Sequence, residues 1–403
     1  MSSLDQLAER EPLIERSALN GAVVYPEFLT DDARLTMATV RSAIDYGATV
    51  STYLKAVNIR REGDFVVSAA STLPADTSEV TLRARAVVNA AGPWVDEVCG
   101  LEGPQAPRLA LSRGVHLVFN HADLPVRNTV VMRTPDGRRI FAVPLGQYTY
   151  IGTTDDYHPE FEYWPPVTEQ DVNYLLSSTR RVMPEASLSP EQIVSVWSGI
   201  RPLVGDGSGR ASKELSRKDE VWTSPSGLLS VGGGKLSAYR AMAERVVDTV
   251  IENHDFTAKP CATAQVPLPG GETAVSADRL SGVEGAPAER LARLYGAEAS
   301  EVVSSAGEGG LLAAEVRQAV LREGALRLED YWARRSSRAW FDHDAGLPVL
   351  TQAADVMANL LGWDDSRKAT EINNCREIDR ASRSGFQSAT TSLGEADDYR
   401  AAS

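Results

Sequence analysis

The sequence predicts an α/β protein of more than one domain. One α/β unit is closed by chain segments far apart in sequence, an antiparallel sheet is inserted between them, and a helical region follows. Three observations predict this. A helix pattern leads straight into strand-like runs near residues 31–54. Short β-branched and aromatic runs crowd residues 107–155. A strand at Leu228-Leu229-Ser230-Val231 turns through Gly232-Gly233-Gly234 into a helix running towards Ile251. Alternation of helices and strands is the mark of a layered α/β fold, and a run of short strands is that of a meander.

The chain has 403 residues, enough for two or more domains with a large core. Hydrophobic content of 43% and charged content of 24% are those of a globular protein. A net charge of -14 argues against general nucleic-acid binding, which needs a basic face. Cys99, Cys261 and Cys375 are odd in number and far apart, so neither a disulfide framework nor a zinc site is expected, and a reducing cytoplasm fits. The first residues, MSSLDQLAEREPLIERS, lack the apolar core of a signal peptide, and no apolar run is long enough to span a bilayer. The expected localisation is cytoplasmic, with peripheral contact at the inner face of the membrane left open.

In order, residues 4–16 read as a short charged helix. Thr30 and Asp31 start a helix with an apolar stripe at Ala33, Met37, Val40 and Ile44, and Gly47 stops it. Ala48 to Leu54 then reads as a strand. Val57 to Ser71 and Val80 to Arg85 read as antiparallel strands turning at Gly63-Asp64. Ala86 to Val95 runs from a buried strand into a small-residue turn and a helix, with Pro93 at a first helical position. Small residues at a strand's carboxyl end are where an open α/β sheet admits a ligand.

Val115 to Phe119, Thr129 to Arg133, Ile140 to Pro144 and Tyr148 to Thr153 predict the antiparallel domain. Thr168 to Met183 predicts a helix burying Val172, Leu175, Leu176 and Val182. Ile193 to Gly199 is a strand leading into Ile200-Arg201-Pro202-Leu203-Val204. Residues 205–219 read as a loop, and Val221 to Val231 returns to the first domain. Residues 254–286, rich in Pro, Gly and Thr, read as a linker. A helical region follows from about 288 to 380, with helices at Glu315–Glu323, Leu328–Arg335 and Ala353–Leu361. The polar tail from 382 is expected to be disordered.

The candidate chemistry lies at the glycine turn. Glycines let backbone approach a flat or phosphorylated ligand, and the following helix start offers N–H donors and a positive dipole end. Lys235 adds a cation there. Arg201, fixed by Pro202, reads either as a surface ion pair or as an anion-binding fork. Arg217 lies in a loop of alternating charges and reads as solvated or as a second anion contact. His116, on an apolar strand, reads as a satisfied core histidine or as a base, and Arg113-Gly114 just before it point weakly to a site. Thr153-Thr154-Asp155-Asp156 reads as a strand end or helix cap. Trp94 and Trp197 read as core residues.

Taken together, DDARL (31–35), NAAGPWV (89–95), SRGVHLV (112–118), IGTTD (151–155), SGIRPLV (198–204), LSRKDE (215–220), GGGKLSAYR (232–240) and AEVRQAV…ALRLEDYWARR (314–335) resemble the FAD-dependent glycerol-3-phosphate dehydrogenases, which belong with the glycine-oxidase-like flavoproteins. The pieces stand in the family's order, from about Leu7 to about Cys375. The resemblance implies a flavoprotein core over 1–255. Its FAD-binding parts are at about 20–100 and 221–255, with a substrate domain at about 101–220. A linker at 256–286, an all-helical domain at 287–381 and a tail at 382–403 complete the division.

The resemblance also implies oxidation of sn-glycerol 3-phosphate to dihydroxyacetone phosphate, with hydride to FAD and on to a quinone. Arg201, Lys235 and His116 are the implied catalytic residues, and Arg217 and Arg201 the implied substrate contacts. Ala91, Gly92, Gly233, Gly234, Lys235, Leu236 and Ser237 are implied along the cofactor. A small-molecule substrate, no metal, no nucleic acid and a homodimer complete the expectation. Two alternatives stay open: a flavin oxidase of another hydroxy or amino acid, and a truncated, non-catalytic remnant.

There are two departures. Arg113 stands where the family usually has lysine. The family's GxGxxG dinucleotide fingerprint is absent: the first glycine is Gly21, and Gly205-x-Gly207-x-Gly209 and Gly307-x-Gly309-Gly310 read as loops. The expected Rossmann-like domain is therefore incomplete. Either the chain is a fragment of an ordinary enzyme, or it is a natural short form that binds FAD poorly or with a partner's help.

Overall fold

The computed structural model describes residues 3–158, 161–205 and 218–398, side chains at 308 and 387–398 excepted. The first helix, α1 (Leu4–Arg10), is capped by Ser3 and Gln6 and is shorter than the sequence suggests. Pro12 lies just past its end. Helix α2 (Asp32–Asp45) starts on the side chain of Asp31, which accepts from the Arg34 N–H. Its apolar stripe does not reach a core: no residue of α2 is buried.

Strands β1 (Leu54–Glu62), β2 (Asp64–Ser71) and β3 (Glu79–Ala84) form an antiparallel meander, with Gly63 at positive φ in the first turn. Ala48 to Tyr53 is not a strand, because no described strand lies beside it to accept its hydrogen bonds. The expected buried strand at 86–90 is reduced to β4 (Val88–Asn89), and Val88 is 41% exposed. Helix α3 (Val95–Gly100) follows it.

The inserted domain is a six-stranded antiparallel sheet built from β5 (Leu109–Asn120), β6 (Val130–Arg133), β7 (Arg139–Leu145), β8 (Tyr148–Gly152), β9 (Asp156–Tyr157) and β10 (Ile193–Val204). The order is β10-β5-β8-β7-β6, with β9 paired to β5. Helix α4 (Glu169–Val182), capped by Thr168 and Asp171, covers one face. There Val172, Leu175 and Leu176 meet Val115, Leu117, Phe119, Ile140 and Ile151. Side chains alternate across a strand, so Ser112, Gly114 and His116 fall on the other face.

The chain returns through β11 (Asp219–Thr223) and β12 (Leu229–Gly233). β12 pairs antiparallel with β11 and parallel with β4. Helix α5 (Tyr239–Asn253) follows after a 3₁₀ turn at Leu236–Ala238, so the helix does not open directly on the glycines.

The helical region comprises α6 (Gly285–Tyr295), α7 (Ala299–Ser304), α8 (Gly310–Leu321), a π-helical turn (Asp330–Arg335), α9 (Arg338–Phe341), α10 (Leu350–Leu361) and α11 (Asp365–Asp398). Ion pairs fasten it to α2. Arg34 grips buried Glu323 at 2.7 and 2.8 Å, and Arg41 grips Glu298 at 2.6 Å through both nitrogens. The Tyr53 hydroxyl donates to Asp330 at 2.8 Å, and burial beside that carboxylate holds its pKa far above the ordinary value.

The tail is a correction. Residues 382–398 continue α11, because Phe386 is buried in the core of the inserted domain and the Val167 N–H donates to the Ser382 carbonyl. At Gly385 a Cβ would stand 2.3 Å from the Val167 carbonyl oxygen, so only glycine permits this contact.

Candidate active site

The open face of the inserted sheet gathers the polar groups. Antiparallel register sets Arg201 opposite Ser112, Gly199 opposite Gly114, and Trp197 opposite His116. The Arg201 guanidinium lies across Gly114, where a Cβ would come within 2.1 Å of Nη2. It donates to the Thr153 hydroxyl at 2.7 Å and the Thr154 carbonyl at 3.2 Å, with Asp155 at 3.7 Å. Arg201 is thus a held cation at a sheet surface and not a swinging surface side chain. The Ser112 hydroxyl donates to Asp155, and the Thr154 hydroxyl accepts from the Val115 N–H at 3.1 Å.

His116 stacks on Trp197, with ring centres 4.6 Å apart and planes 13° off parallel, and meets the edge of Tyr150 at 5.9 Å. A Cβ on Gly152 would sit 2.2 Å from the ring. The Nδ1 atom is buried without a hydrogen-bond partner among the described residues. Burial, and then the charge of Arg201, push the His116 pKa down to about 3, so the ring is neutral at physiological pH. His116 is therefore not a satisfied core histidine. Trp197 and Trp94 are only partly buried. Trp197 forms the floor beneath His116 and is backed by Phe341 of α9, 5.6 Å away.

Arg113 points the other way. It donates to the Pro166 carbonyl at 2.7 Å and pairs with buried Asp171 at 2.8 Å, which makes it a support for the start of α4 and not part of the site.

Two turns lie at the carboxyl ends of neighbouring parallel strands. Asn89, opposite Ser230, donates to the Val95 carbonyl at 2.9 Å and to the Ser230 hydroxyl at 3.3 Å. This fixes the turn at Ala91 and Gly92. Gly92 has φ +56 and open space where a Cβ would be. The second turn uses Gly233 and Gly234 at φ +74 and +86. Cβ atoms there would strike the Lys218 carbonyl oxygen at 2.6 Å and Met242 at 2.5 Å, so these glycines first serve to let the chain close on itself. Lys235, Leu236 and Ser237 follow, exposed at the mouth. Lys235 makes no hydrogen bond or ion pair with the described residues. β10 packs against both β12 and the 3₁₀ turn at Gly92–Trp94, which joins the sheet face to the two turns. Arg217 lies outside the described residues.

Sequence reasoning missed Gly114 and Gly152 as the beds of Arg201 and His116, and Trp197 as a stacking partner. The signal was the alternation in Ser112-x-Gly114-x-His116 against Trp197-x-Gly199-x-Arg201. It becomes readable only once the register is known.

Residues 1–240 match the family model described as FAD dependent oxidoreductase, and residues 261–368 match the C-terminal domain of alpha-glycerophosphate oxidase. The chain belongs to the FAD-dependent oxidoreductase family. It is 31% identical over 407 aligned residues to a Bacillus subtilis protein named aerobic glycerol-3-phosphate dehydrogenase, covering 94% of this chain and 73% of the relative. A Staphylococcus aureus protein of the same name is 32% identical over 394 residues, covering 91% of this chain and 71% of the relative. A glycerol-3-phosphate dehydrogenase from Bacillus halodurans, solved with FAD, superimposes with a TM-score of 0.84 at 32% identity, covering 95% of this chain and 79% of the other.

FAD asks for two things: a place for its ring and a cradle of N–H donors for its diphosphate. The open sheet face and the Lys235 turn fit the first. The second is not found among the described residues. The turn after β4 has Pro93, which has no N–H to give, as its second residue, and the turn after β12 is the other strand-to-helix glycine turn among the described residues of the α/β unit.

No helix among the described residues is long and apolar enough to cross a membrane, and no metal-binding cluster of His, Cys, Asp or Glu lies among them. Cys99 and Cys375 are buried and Cys261 exposed, all as free thiols.

Proposed function

We propose that this fold carries out the flavin-dependent oxidation of sn-glycerol 3-phosphate to dihydroxyacetone phosphate. One observation carries this: the match to relatives named aerobic glycerol-3-phosphate dehydrogenase runs through the flavoprotein core and on into the helical domain. FAD supplies the two-electron acceptor. The chain's own residues bind and orient the substrate. Arg201, prepositioned on Thr153 and Thr154, offers its planar fork to the anionic end, so little side-chain entropy is lost on binding. Arg217 is the second proposed phosphate contact.

His116 meets the C2 hydroxyl as a neutral ring. A dianionic phosphate arriving near Arg201 offsets the smaller of the two causes of the low His116 pKa, the Arg201 charge, while burial, the larger, remains. Substrate binding therefore raises the ring's basicity at the moment a proton must leave the hydroxyl. Lys235, at the exposed turn, and Ala91, Gly92, Gly233, Gly234, Leu236 and Ser237 are the proposed flavin-facing residues. A quinone is the proposed onward acceptor, reached through peripheral membrane contact. The C-terminal domain's likeness to that of an alpha-glycerophosphate oxidase supports dioxygen as the second acceptor.

The test is reduction of an artificial quinone by glycerol 3-phosphate with FAD present, alongside peroxide release in air. Lys235→Ala is expected to lower kcat by roughly a hundredfold, the scale of losing one charge aimed at the transition state. Unchanged turnover would remove Lys235 from the site. No oxidation of glycerol 3-phosphate by a flavin-loaded protein would refute the substrate.

A further inference from the structure

Thr153, Thr154 and Asp155, which meet Arg201, are consecutive and lie between β8 and β9. A guanidinium is aligned only as well as the segment that holds it. On one side β5 ties that segment down. β9 pairs with Ser112 and Arg113, the Val115 N–H donates to the Thr154 hydroxyl, and the Ser112 hydroxyl donates to the Asp155 carboxylate. On the other side the backbone ladder between β7 and β8 stops where Phe141 faces Gly152. Continued by three residues, the same register sets Arg138 opposite Asp155. There a side chain does what the ladder no longer does. Arg138 Nη1 donates to the Asp155 carbonyl at 3.0 Å and to the Asp156 carboxylate at 3.2 Å.

Arg138 is itself held from behind. Its Nε donates to Asp136 at 2.6 Å, and its guanidinium carbon lies 4.7 Å from the centre of the Tyr174 ring of α4. The Tyr174 hydroxyl donates to Asp136 at 3.1 Å. The turn that carries Arg138 closes without that guanidinium. The Gly137 N–H donates to the Thr134 carbonyl at 3.0 Å, the Thr134 N–H to the Arg138 carbonyl at 2.9 Å, and the Thr134 hydroxyl to Asp136 at 2.5 Å. The guanidinium is therefore not spent on its own turn but spans from Asp136 to β9. We infer that Arg138 is a positioning residue for Arg201. It fixes the segment 153–155 that aligns the Arg201 fork, and through that fork the grip on the substrate's phosphate. It acts through Arg201 and is not itself a catalytic residue. A planar fork can hold Asp136 and Asp155 at once, which the point charge of a lysine does not. This rests on the reading of Arg201 as the substrate's anion contact.

The first measurement needs no substrate, so its failure is distinct from a failure of the glycerol 3-phosphate reading. Arginine side-chain NMR follows the Arg201 guanidinium, assigned by its loss in Arg201→Lys. In the parent chain its N–H signals are expected to be sharp and slow to exchange. In Arg138→Gln they are expected to broaden and to exchange roughly tenfold faster, with the amide spectrum of the sheet kept. The second measurement is the affinity for glycerol 3-phosphate by calorimetry. Arg138→Gln is expected to weaken it by roughly tenfold, the scale of one charge-assisted hydrogen bond. In the flavin-loaded protein KM should rise by the same factor with kcat little changed, the signature of lost uniform binding. In an Arg201→Gln background the same substitution should leave affinity unchanged, since its effect passes through Arg201. Arg138→Lys keeps the charge, loses the fork, and is expected to behave like Arg138→Gln. Asp136→Asn loosens Arg138 without removing it. It should give the same shifts at smaller size, which keeps the test open should Arg138→Gln not fold. An Arg201 signal that neither Arg138→Gln nor Asp136→Asn alters overturns the inference. So do an affinity loss undiminished in the Arg201→Gln background, and Arg138→Lys matching the parent.

Discussion

Gly114→Ala separates the site from the scaffold. The new methyl group would stand 2.1 Å from Arg201 Nη2 and 2.4 Å from both Cζ and Nη1. Backbone strain is absent, because Gly114 sits in regular β5 opposite Gly199. What must move is the far end of a flexible side chain, part-exposed so that water can replace the bonds it gives up, and the fold should lose less than about 1 kcal/mol, below the cost of overpacking a rigid core. The guanidinium, however, must leave Thr153 and Thr154. A hydrogen bond involving a charged group contributes about 1.5–3 kcal/mol, and at ~1.4 kcal/mol per decade its loss from substrate binding corresponds to roughly a ten- to hundredfold fall in kcat/KM. The assay is steady-state oxidation of glycerol 3-phosphate by the flavin-loaded protein, paired with thermal unfolding. Unchanged kcat/KM at unchanged stability would refute the role of Arg201. A large loss of stability would show that the guanidinium is part of the packing and not a free-ended ligand for substrate.

Other outcomes follow from the same contacts. Glu323→Ala leaves the Arg34 guanidinium buried and uncompensated, and should destabilise the protein by about 3–5 kcal/mol in chemical denaturation. Gly385→Ala drives a methyl group to 2.3 Å from a backbone oxygen that cannot step aside, and should cost about 1–3 kcal/mol and free α11 from α4, read by hydrogen exchange at Val167. His116 binds a proton in the unfolded chain below its ordinary pKa of 6.5, but not in the folded one until about 3. Across that window the unfolded state holds more protons, so stability falls as pH drops from 6.5 towards 3, at up to ~1.4 kcal/mol per pH unit from this group. His116→Asn should flatten that slope, and an imidazole resonance titrating near 6.5 in the substrate-free protein would contradict the burial.

The legibility of the molecule follows physical range. Elements whose cause is local were readable: the Asp31 helix start, the Gly63 turn, the helix from Thr168 and the strand at Val115 to Phe119 each depend on residues a few positions apart. The site was readable in part. Arg201, His116 and the turn at Gly232–Gly234 carry chemical signatures, but Gly114 and Gly152 look like any strand glycines until the partner strand is laid beside them. Arg113 looked like a site residue because it precedes His116. One residue along a strand is the opposite face, and there Asp171 claims it.

The sequence by itself determined the order of the elements, the division into sheet and helical regions and the family, because these are set by periodicity, turns and motif order along the chain. Only the tertiary structure decided which strands exist at their edges. Ala48 to Tyr53 has the composition of a strand, yet it does not become one. A strand is completed by its neighbour's hydrogen bonds, and composition cannot supply a neighbour. The reverse holds for residues 382–398, polar enough to predict disorder, which continue a helix because Phe386 finds a core and Gly385 lets it approach.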